Sequence, residues 1–329
     1  MKTVLITASY MLPFLDRFIP ILESFGLKVI VAEVEERMEV DDLMPYAGQI
    51  DGTICGDDRY TAEVLRAFAP RLKVIAKWGT GIDSIDLDVA RELGIPVLNT
   101  PNAFSVPVAE SVLTALLCFA RNLPWMDAAM KRGEWKKING HTLSESTVGV
   151  IGVGNVGKAV LRRVRGFGSR LLGYDVADIA PDFIFENRVE MTDLRSLLEQ
   201  SDYVCLCSTL TSSSNLLIDA EKLSWMKPSA VLVNASRGSV VVEKDLIEAL
   251  QNGKIRGAAL DVFEFEPLPK DSPLRKMDNI LLSPHNTNSS PFYWERVHWN
   301  SIRNLLLGLD IPVGDIESLK RLEKKNNLQ

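Results

Sequence analysis

The sequence predicts an α/β protein of two doubly wound lobes, each with a parallel sheet that is covered by helices. Short apolar runs rich in β-branched residues recur along the 329 residues, and amphipathic stretches of helical length separate most of them. Strands that alternate with helices in this way form βαβ units, and the length fits about two domains. Two of the runs, 203–207 and 230–236, are almost continuously apolar, which is typical of strands that are buried on both faces.

The predicted strands fall into two groups along the chain. The first group comprises residues 4–8, 29–34, 52–55, 73–78 and 96–99, and the second comprises residues 148–154, 170–175, 203–207, 230–236, 257–263 and 279–283. Helical segments are predicted between strands, for example at 61–69 and 87–94.

Two longer helical patterns predict where the chain crosses between the lobes. One covers residues 108–122, with Ser105 as its expected N-cap, and the other covers residues 294–309. One lobe is therefore expected to be discontinuous, at 1–101 plus 290–329, around a second lobe at 102–289. The tail at 323–329 is expected to fray.

Composition excludes several classes of protein. Lys and Arg total 37 against 43 Asp and Glu, so the net charge of −6 leaves no basic excess for nucleic acid. No apolar run approaches the ~18 residues of a membrane span, and the N-terminus has the pattern of a strand rather than a signal peptide. The cysteines form no CxxC pair and lie in apolar segments, which favours a reduced cytoplasmic chain without a metal site; they are Cys55, Cys118, Cys205 and Cys207.

A GxGxxG motif at 152–157 follows a predicted strand and opens a predicted helix. In a dinucleotide-binding turn, Gly152 permits the tight bend, Gly154 lets the backbone approach a pyrophosphate, and Gly157 lets the helix pack on the strand. The next strand ends at Asp175, whose carboxylate would accept hydrogen bonds from ribose hydroxyls and repel a 2′-phosphate. The motif therefore predicts a Rossmann-type site for NAD(H) rather than NADP(H).

Three polar side chains follow three successive strands of the second group. Arg237 comes after 230–236, Glu266 after 257–263, and His285 after 279–283. Doubly wound sheets bind ligands outside the carboxyl ends of their strands. There a guanidinium can bind a carboxylate with two hydrogen bonds, and an imidazole held by a carboxyl group can transfer a proton. Taken alone, Arg237 could be a capping residue, Glu266 a loop residue and His285 a core histidine. That the three side chains lie in contact is an expectation.

At these residues the sequence resembles the D-isomer-specific 2-hydroxyacid dehydrogenase family, which includes phosphoglycerate dehydrogenase. The matching stretches are 79–102, 148–160, 231–241, 257–269 and 281–285. The resemblance implies a Rossmann NAD-binding domain, at 102–289, inserted in a flavodoxin-like substrate domain. It also implies a homodimer through the NAD-binding domain, with the helix near 103–121 at the interface.

The resemblance implies roles for particular residues. Arg237 would hold the substrate carboxylate, Glu266 would hold His285, and His285 would act as the acid/base. Substrate would also lie against the backbone of Lys77, Trp78 and Gly79. Contacts to NAD are implied for Thr80, Asn155, Val156, Asp175, Ser208, Thr209, Ala235, Ser236 and Asp261, beside the three glycines of the turn.

The sequence departs from the family pattern at three places. Asn286, Thr287 and Asn288 follow His285 where small residues are common, and bulky residues occupy 292–294. Residues 207–209 read Cys-Ser-Thr where the family commonly has His-x-Pro. Lys77 replaces the arginine usual in phosphoglycerate dehydrogenases, so a phosphate site built on Lys77 and Arg59 is a hypothesis.

These observations predict an NAD-dependent D-2-hydroxyacid dehydrogenase or 2-oxoacid reductase. Hydride would pass between nicotinamide and substrate C2, and 3-phosphoglycerate is one candidate substrate. Two alternatives stay open: a hydroxypyruvate or glyoxylate reductase, and an NAD-sensing scaffold or corepressor with the same fold. Small 2-hydroxy or 2-oxo acids are the expected partners, and neither nucleic acid nor a membrane is expected.

Overall fold

Two parallel sheets organise the chain in the computed structural model, which describes residues 1–326. Each sheet belongs to its own unit. One unit comprises Met1–Ala103 and the described residues from Ser290 onward, and the other comprises Phe104–Ser289. The boundary after Ala103 lies two residues beyond the one expected after residue 101.

The first unit contains a five-stranded sheet in the order β2-β1-β3-β4-β5. Its elements are β1 (Lys2–Ile6), α1 (Leu15–Ser24), β2 (Leu27–Val31), α2 (Val40–Leu43), β3 (Gly52–Cys55), α3 (Ala62–Phe68), β4 (Val74–Lys77), α4 (Leu87–Glu92) and β5 (Val97–Leu98). The chain returns to this unit with α12 (Pro291–Gly308) and α13 (Ile316–Asn326). Strands β3 and β4 are buried throughout, as expected for a sheet covered on both faces.

The second unit contains a seven-stranded sheet in the order β12-β11-β10-β9-β6-β7-β8. Its helices are α5 (Ser105–Arg121), α6 (Leu123–Lys131), α7 (Asn155–Arg165), α8 (Pro181–Asn187), α9 (Leu194–Gln200), α10 (Ala220–Trp225) and α11 (Glu243–Gln251). Its strands are β6 (Thr147–Ile151), β7 (Arg170–Tyr174), β8 (Val189–Met191), β9 (Tyr203–Leu206), β10 (Val231–Asn234), β11 (Gly257–Leu260) and β12 (Ile280–Leu282). All four residues of β9 and of β10 are buried, which confirms the burial expected from their continuous hydrophobicity.

One strand was missed, and two local expectations were wrong. Strand β8 was not predicted, because three residues are too short to show an alternating pattern. Ser105 is the first residue of α5 rather than its cap, and Phe104 precedes it without a side-chain capping bond. Helix α13 extends to Asn326, so the part of the tail up to that residue is helical; residues 327–329 lie outside the described residues.

Within residues 1–326, no single helix has the length and hydropathy needed to cross a membrane. Helices α5 and α6 reach the required length and hydropathy only when they are taken together, and a 63° bend separates them. The buried face of α5 includes Val108, Val112, Leu116 and Phe119, which are residues of a protein core.

Candidate active site

Six strands of the second sheet end level with one another. Ile151 pairs with Leu206 and with Tyr174, and Asn234 pairs with Leu206 and with Leu260. Leu260 pairs in turn with Leu282. Because the strands are parallel and in this register, the residues after them emerge in one row at the carboxyl edge. This row begins at Gly152, Asp175, Cys207, Ala235, Asp261 and Ser283.

The glycine turn after β6 has the backbone that its sequence predicts. Gly152 has a φ of 90°, which side-chain-bearing residues rarely adopt, and a Cβ there would overlap the backbone of Ser208. A Cβ on Gly157 would overlap the carbonyl oxygen of Gly152, so the first turn of α7 packs tightly on the loop. Gly154 has no atom within 4 Å of the place that a Cβ would take. The turn is therefore closed on two sides and open at Gly154.

Asp175 lies beside this turn at the end of β7. Its Oδ2 accepts a hydrogen bond from the backbone N–H of Val153 at 2.6 Å, and its Oδ1 accepts one from Ala177 at 2.9 Å. The half-buried carboxylate is thus fixed against the glycine turn. Each oxygen keeps acceptor capacity for a further donor, such as a ribose hydroxyl.

Ser208 contributes a polar atom that lacks a partner. Its Oγ is buried and has no hydrogen bond among the described residues. Its carbonyl oxygen accepts a hydrogen bond from the Ser236 hydroxyl, which ties the loop after β9 to the loop after β10. Buried hydroxyls are normally hydrogen-bonded, so this atom points to a missing ligand. The open face at Gly154, the fixed Asp175 carboxylate and the Ser208 hydroxyl together fit a dinucleotide.

Other residues with an implied cofactor role lie on both units. Asn155 and Val156 begin α7, Ala235 and Ser236 follow β10, and Thr209 is exposed after β9. Thr80 belongs to the first unit, where its hydroxyl donates to the carbonyl of Thr100 at 3.0 Å.

Glu266 and His285 form a hydrogen-bonded pair. His285 Nδ1 lies 3.0 Å from Glu266 Oε2, and the other oxygen of Glu266 accepts the N–H of Phe263 at 2.9 Å. The two side chains are 12% and 17% exposed, respectively, so water screens their interaction only in part. Since a carboxylate only accepts, the pair places the Nδ1 proton of the ring toward Glu266.

Asp261 holds the loop that carries His285. Its carbonyl oxygen accepts the N–H of His285 at 2.8 Å. Its carboxylate accepts four hydrogen bonds: the Ser283 hydroxyl at 2.6 Å, the Asn286 N–H at 2.8 Å, and the N–H and hydroxyl of Thr287 at 3.1 and 2.6 Å. Of the donors from the segment that departs from the family pattern, only the Thr287 hydroxyl is a side-chain group; the Asn286 and Thr287 N–H groups belong to the backbone.

The loop after β10 brings Arg237 to the same edge. Asn234 Nδ2 donates to the carbonyl of Arg237 at 3.0 Å, and the Arg237 guanidinium donates to the carbonyl of Ser236 at 3.0 Å. A Cβ on Gly238 would overlap the carbonyl group of Phe263, so only glycine fits there. The backbone after Arg237 is therefore packed against the segment that leads to Glu266.

The residues with an implied substrate role in the first unit follow β4. Lys77 is 4% exposed; its Nζ lies 2.9 Å from Asp57 Oδ1 and donates to the carbonyl of Trp78 at 3.0 Å. Gly79 has a φ of 111°, which turns the chain sharply after the strand. Arg59 Nε lies 3.9 Å from Glu39 Oε2. Both cations of the hypothetical phosphate site are therefore engaged by carboxylates.

Sequence reasoning missed the position of His298. It lies on α12 as expected, but it is 2% exposed, and its Nδ1 accepts a hydrogen bond from Trp78 Nε1 at 2.9 Å. Burial lowers the pKa of His298 to about 4, which keeps the ring neutral. No sequence pattern links it to Trp78, which precedes it by more than 200 residues. In the second unit, His141 Nε2 is hydrogen-bonded to the Tyr203 hydroxyl at 2.9 Å.

The two thiols of the Cys-x-Cys segment are both protonated. Burial raises the pKa of Cys205 well above its ordinary value and that of Cys207 to about 12. A protonated thiol is a poor nucleophile and a poor metal ligand, so these two thiols act as small apolar groups that pack in the interior.

Comparison with known proteins identifies the family. Residues 113–287 match the model of the D-isomer specific 2-hydroxyacid dehydrogenase NAD-binding domain. The chain is similar to D-3-phosphoglycerate dehydrogenase of Methanocaldococcus jannaschii, at 39% identity over 84% of this chain and 52% of that protein. It therefore spans about half the length of that relative. It is also similar to glyoxylate reductase of Korarchaeum cryptofilum, at 41% identity over 71% of each chain.

Solved structures show the same architecture. The D-lactate dehydrogenase of Aquifex aeolicus, in complex with NAD and lactic acid, superposes with a TM-score of 0.83 over 97% of this chain and 98% of that one, at 27% identity. The sequence matches and this likeness agree with the glycine turn, the Asp175 carboxylate and the row of strand-end residues. The chain therefore belongs to the D-isomer specific 2-hydroxyacid dehydrogenase family, whose members are NAD-dependent oxidoreductases that act on 2-hydroxy acids.

Proposed function

We propose that the chain reduces a small 2-oxo acid to the D-2-hydroxy acid, and catalyses the reverse reaction, with His285 as the acid/base. The observation that carries the proposal is the Glu266–His285 hydrogen bond of 3.0 Å, at the edge that also carries the glycine turn. A nucleotide-binding scaffold needs the turn, but it has no use for an imidazole paired with a carboxylate.

NAD, when bound, accepts or supplies the hydride at the nicotinamide ring. The chain supplies the proton: in the direction of reduction, His285 Nε2 donates it to the substrate oxygen that becomes the hydroxyl. Glu266 keeps the Nδ1–H of the ring oriented and balances the charge of the protonated imidazole. Asp261 contributes indirectly, because its hydrogen bonds fix the loop from Ser283 to Thr287 and hence the His285 backbone.

Arg237 is assigned to the substrate carboxylate. Its planar guanidinium can donate two parallel hydrogen bonds to a carboxylate, and this orients C2 as well as binding it. The backbone around Lys77, Trp78 and Gly79 is also assigned to the substrate, although the N–H of Trp78 already donates to the carbonyl of Cys55 at 2.8 Å. Bound NAD is assigned to the residues of the edge, which are Gly152, Gly154, Asn155, Val156, Gly157, Asp175, Ser208, Thr209, Ala235, Ser236 and Asp261, together with Thr80.

The units take the roles that the resemblance implies. Residues from Phe104 to Ser289 form the NAD-binding domain, and the remainder forms the substrate domain. A homodimer through the NAD-binding domain is supported by exposed apolar side chains that follow α5: Leu123 is 60% exposed, Met130 50% and Trp135 82%. A cytoplasmic location is supported by four free cysteines. Light scattering of the purified protein and cell fractionation test these two points.

The test of the proposed activity uses the smallest 2-oxo acid. Purified protein is mixed with NADH and glyoxylate, and NADH oxidation is followed by absorbance. His285→Ala should lower kcat about 10²–10⁴-fold, the usual contribution of general acid–base catalysis. His141→Ala removes a histidine elsewhere in the same unit, and it should change kcat less than about threefold. Full activity of His285→Ala would contradict the assignment.

A further inference from the structure

The backbone of His285 adopts a conformation that a histidine rarely takes. Its φ is 46°, in the left-handed region that is sterically disfavoured for residues with a side chain. Its N–H is shared between the carbonyl oxygens of Asp261, at 2.8 Å, and Ser283, at 3.2 Å. Such a conformation persists only where the surrounding contacts hold it, so the segment after β12 needs an anchor outside itself.

The carboxylate of Asp261 is this anchor. It is buried, and each of its oxygens accepts two hydrogen bonds. Oδ1 accepts the Ser283 hydroxyl and the N–H of Asn286, and Oδ2 accepts both the N–H and the hydroxyl of Thr287. One side chain at the end of β11 therefore fixes the chain on both sides of His285.

Thr287 is the residue of this network where the chain departs from the small residues that are common in the family. Its hydroxyl lies 2.6 Å from Asp261 Oδ2, closer than its own N–H at 3.1 Å. Hydrogen bonds to a charged acceptor are about twice as strong as neutral ones. The carbonyl of Thr287 also accepts the hydroxyl of Ser111, on α5, at 3.2 Å. Thr287 is thus held by the sheet edge and by a helix.

The position of Thr287 along the chain connects it to the catalytic pair. A single residue separates it from His285, whose Nδ1 lies 3.0 Å from Glu266 Oε2. If the contact of Thr287 with Asp261 is lost, the segment can relax toward a more usual φ at His285, and this turns the ring away from Glu266. Small displacements of this kind matter, because a misplacement of about 1 Å can cost 10²-fold in rate.

We propose that the Thr287 hydroxyl is a positioning group for the reaction: its bond to Asp261 holds His285 in the left-handed conformation, with the ring aligned on Glu266. In this role it touches neither substrate nor cofactor and acts only through His285. The inference rests on the proposed function, which makes His285 the acid/base. It gives a use to a polar side chain at a place where the family commonly has none.

The first experiment removes the hydroxyl alone. Thr287→Val keeps the β-branched shape and the backbone hydrogen bonds, and we expect kcat for glyoxylate reduction to fall about 10-fold. The KM for glyoxylate and the Kd for NADH should change less than about twofold, because Thr287 is assigned no contact with either. Thr287→Ser restores a hydroxyl and should recover most of kcat.

The control for this experiment is Thr147→Val, which makes the same change at the start of β6, on the opposite edge of the same sheet. It should leave kcat unchanged. An unchanged kcat in Thr287→Val, or no recovery in Thr287→Ser, would overturn the inference. A loss of NADH affinity as large as the loss in kcat would also overturn it, because the hydroxyl would then serve the cofactor site.

The second experiment asks whether the hydroxyl acts through His285. When His285→Ala is already present, Thr287→Val should not lower the residual kcat further, because the group that it positions is gone. A hydroxyl that only stabilises the fold would lower kcat by the same factor in both backgrounds, and that result would overturn the inference. Full activity of His285→Ala would overturn the proposed function itself. Low activity of His285→Ala together with normal activity of Thr287→Val would overturn the inference alone.

Discussion

Replacing Glu266 by Gln isolates the contribution of one negative charge to catalysis. The carboxylate accepts from His285 Nδ1 at 3.0 Å and from the Phe263 N–H at 2.9 Å. A glutamine has nearly the same shape and can keep the bond to Phe263 through its amide oxygen. Its amide group then faces Nδ1 as a donor, which disfavours the protonated ring that reduction requires.

The expected size of this effect follows from the geometry. A hydrogen bond to a charged group contributes about 1.5–3 kcal/mol, and each 1.36 kcal/mol corresponds to tenfold in rate. Glu266→Gln should therefore lower kcat roughly 10- to 150-fold. Because the side chains of Glu266 and His285 are only 12% and 17% exposed, weak screening favours the upper part of this range. The loss should be smaller than that of His285→Ala, which removes the proton donor itself.

The assay measures glyoxylate reduction through the oxidation of NADH, and the Kd for NADH is measured separately by fluorescence. We expect kcat to fall and the Kd to stay within about twofold, since Glu266 is assigned no contact with NADH. Glu264→Gln makes the same change two residues away on an exposed side chain, and it should leave both values unchanged. A Glu266→Gln enzyme with kcat within twofold of wild type would refute the role given to the pair.

Two further predictions concern the glycine turn and the buried histidine. Gly154→Ala places a Cβ in open space, so it should weaken NADH binding and leave the free energy of urea unfolding almost unchanged. Gly157→Ala should lower the unfolding free energy by ~1–3 kcal/mol, because its Cβ overlaps Gly152. An unchanged NADH affinity in Gly154→Ala would contradict the pyrophosphate assignment. The pKa of His298 is about 4 in the folded chain, and its ordinary value is 6.5. The unfolded chain therefore binds a proton first as the pH falls from about 6.5 to 4, and stability should drop by up to ~3 kcal/mol over that window. His298→Asn keeps an acceptor for Trp78, and its unfolding free energy in urea should depend less on pH than that of the wild type. An equal pH dependence in the two proteins would contradict the assignment of this effect to His298.

The position of the site along the edge could be predicted from the sequence for a simple physical reason. Parallel strands in register end together, so a polar residue just after one buried strand lies near a polar residue just after the next. This reasoning placed Glu266 and His285 at neighbouring strand ends, and the structure joins them at 3.0 Å. It needed only the strand positions and the topology of a doubly wound sheet.

Contacts that depend on how helices pack on the sheet could not be predicted in this way. The hydrogen bond between Trp78 and His298 joins the residue after β4 to α12, and neither residue shows a periodic pattern that points to the other. The Lys77–Asp57 ion pair is similar, since it joins the last residue of β4 to a residue in the loop after β3. The donors to Asp261 from Asn286 and Thr287 lie in a segment that reads only as a polar turn.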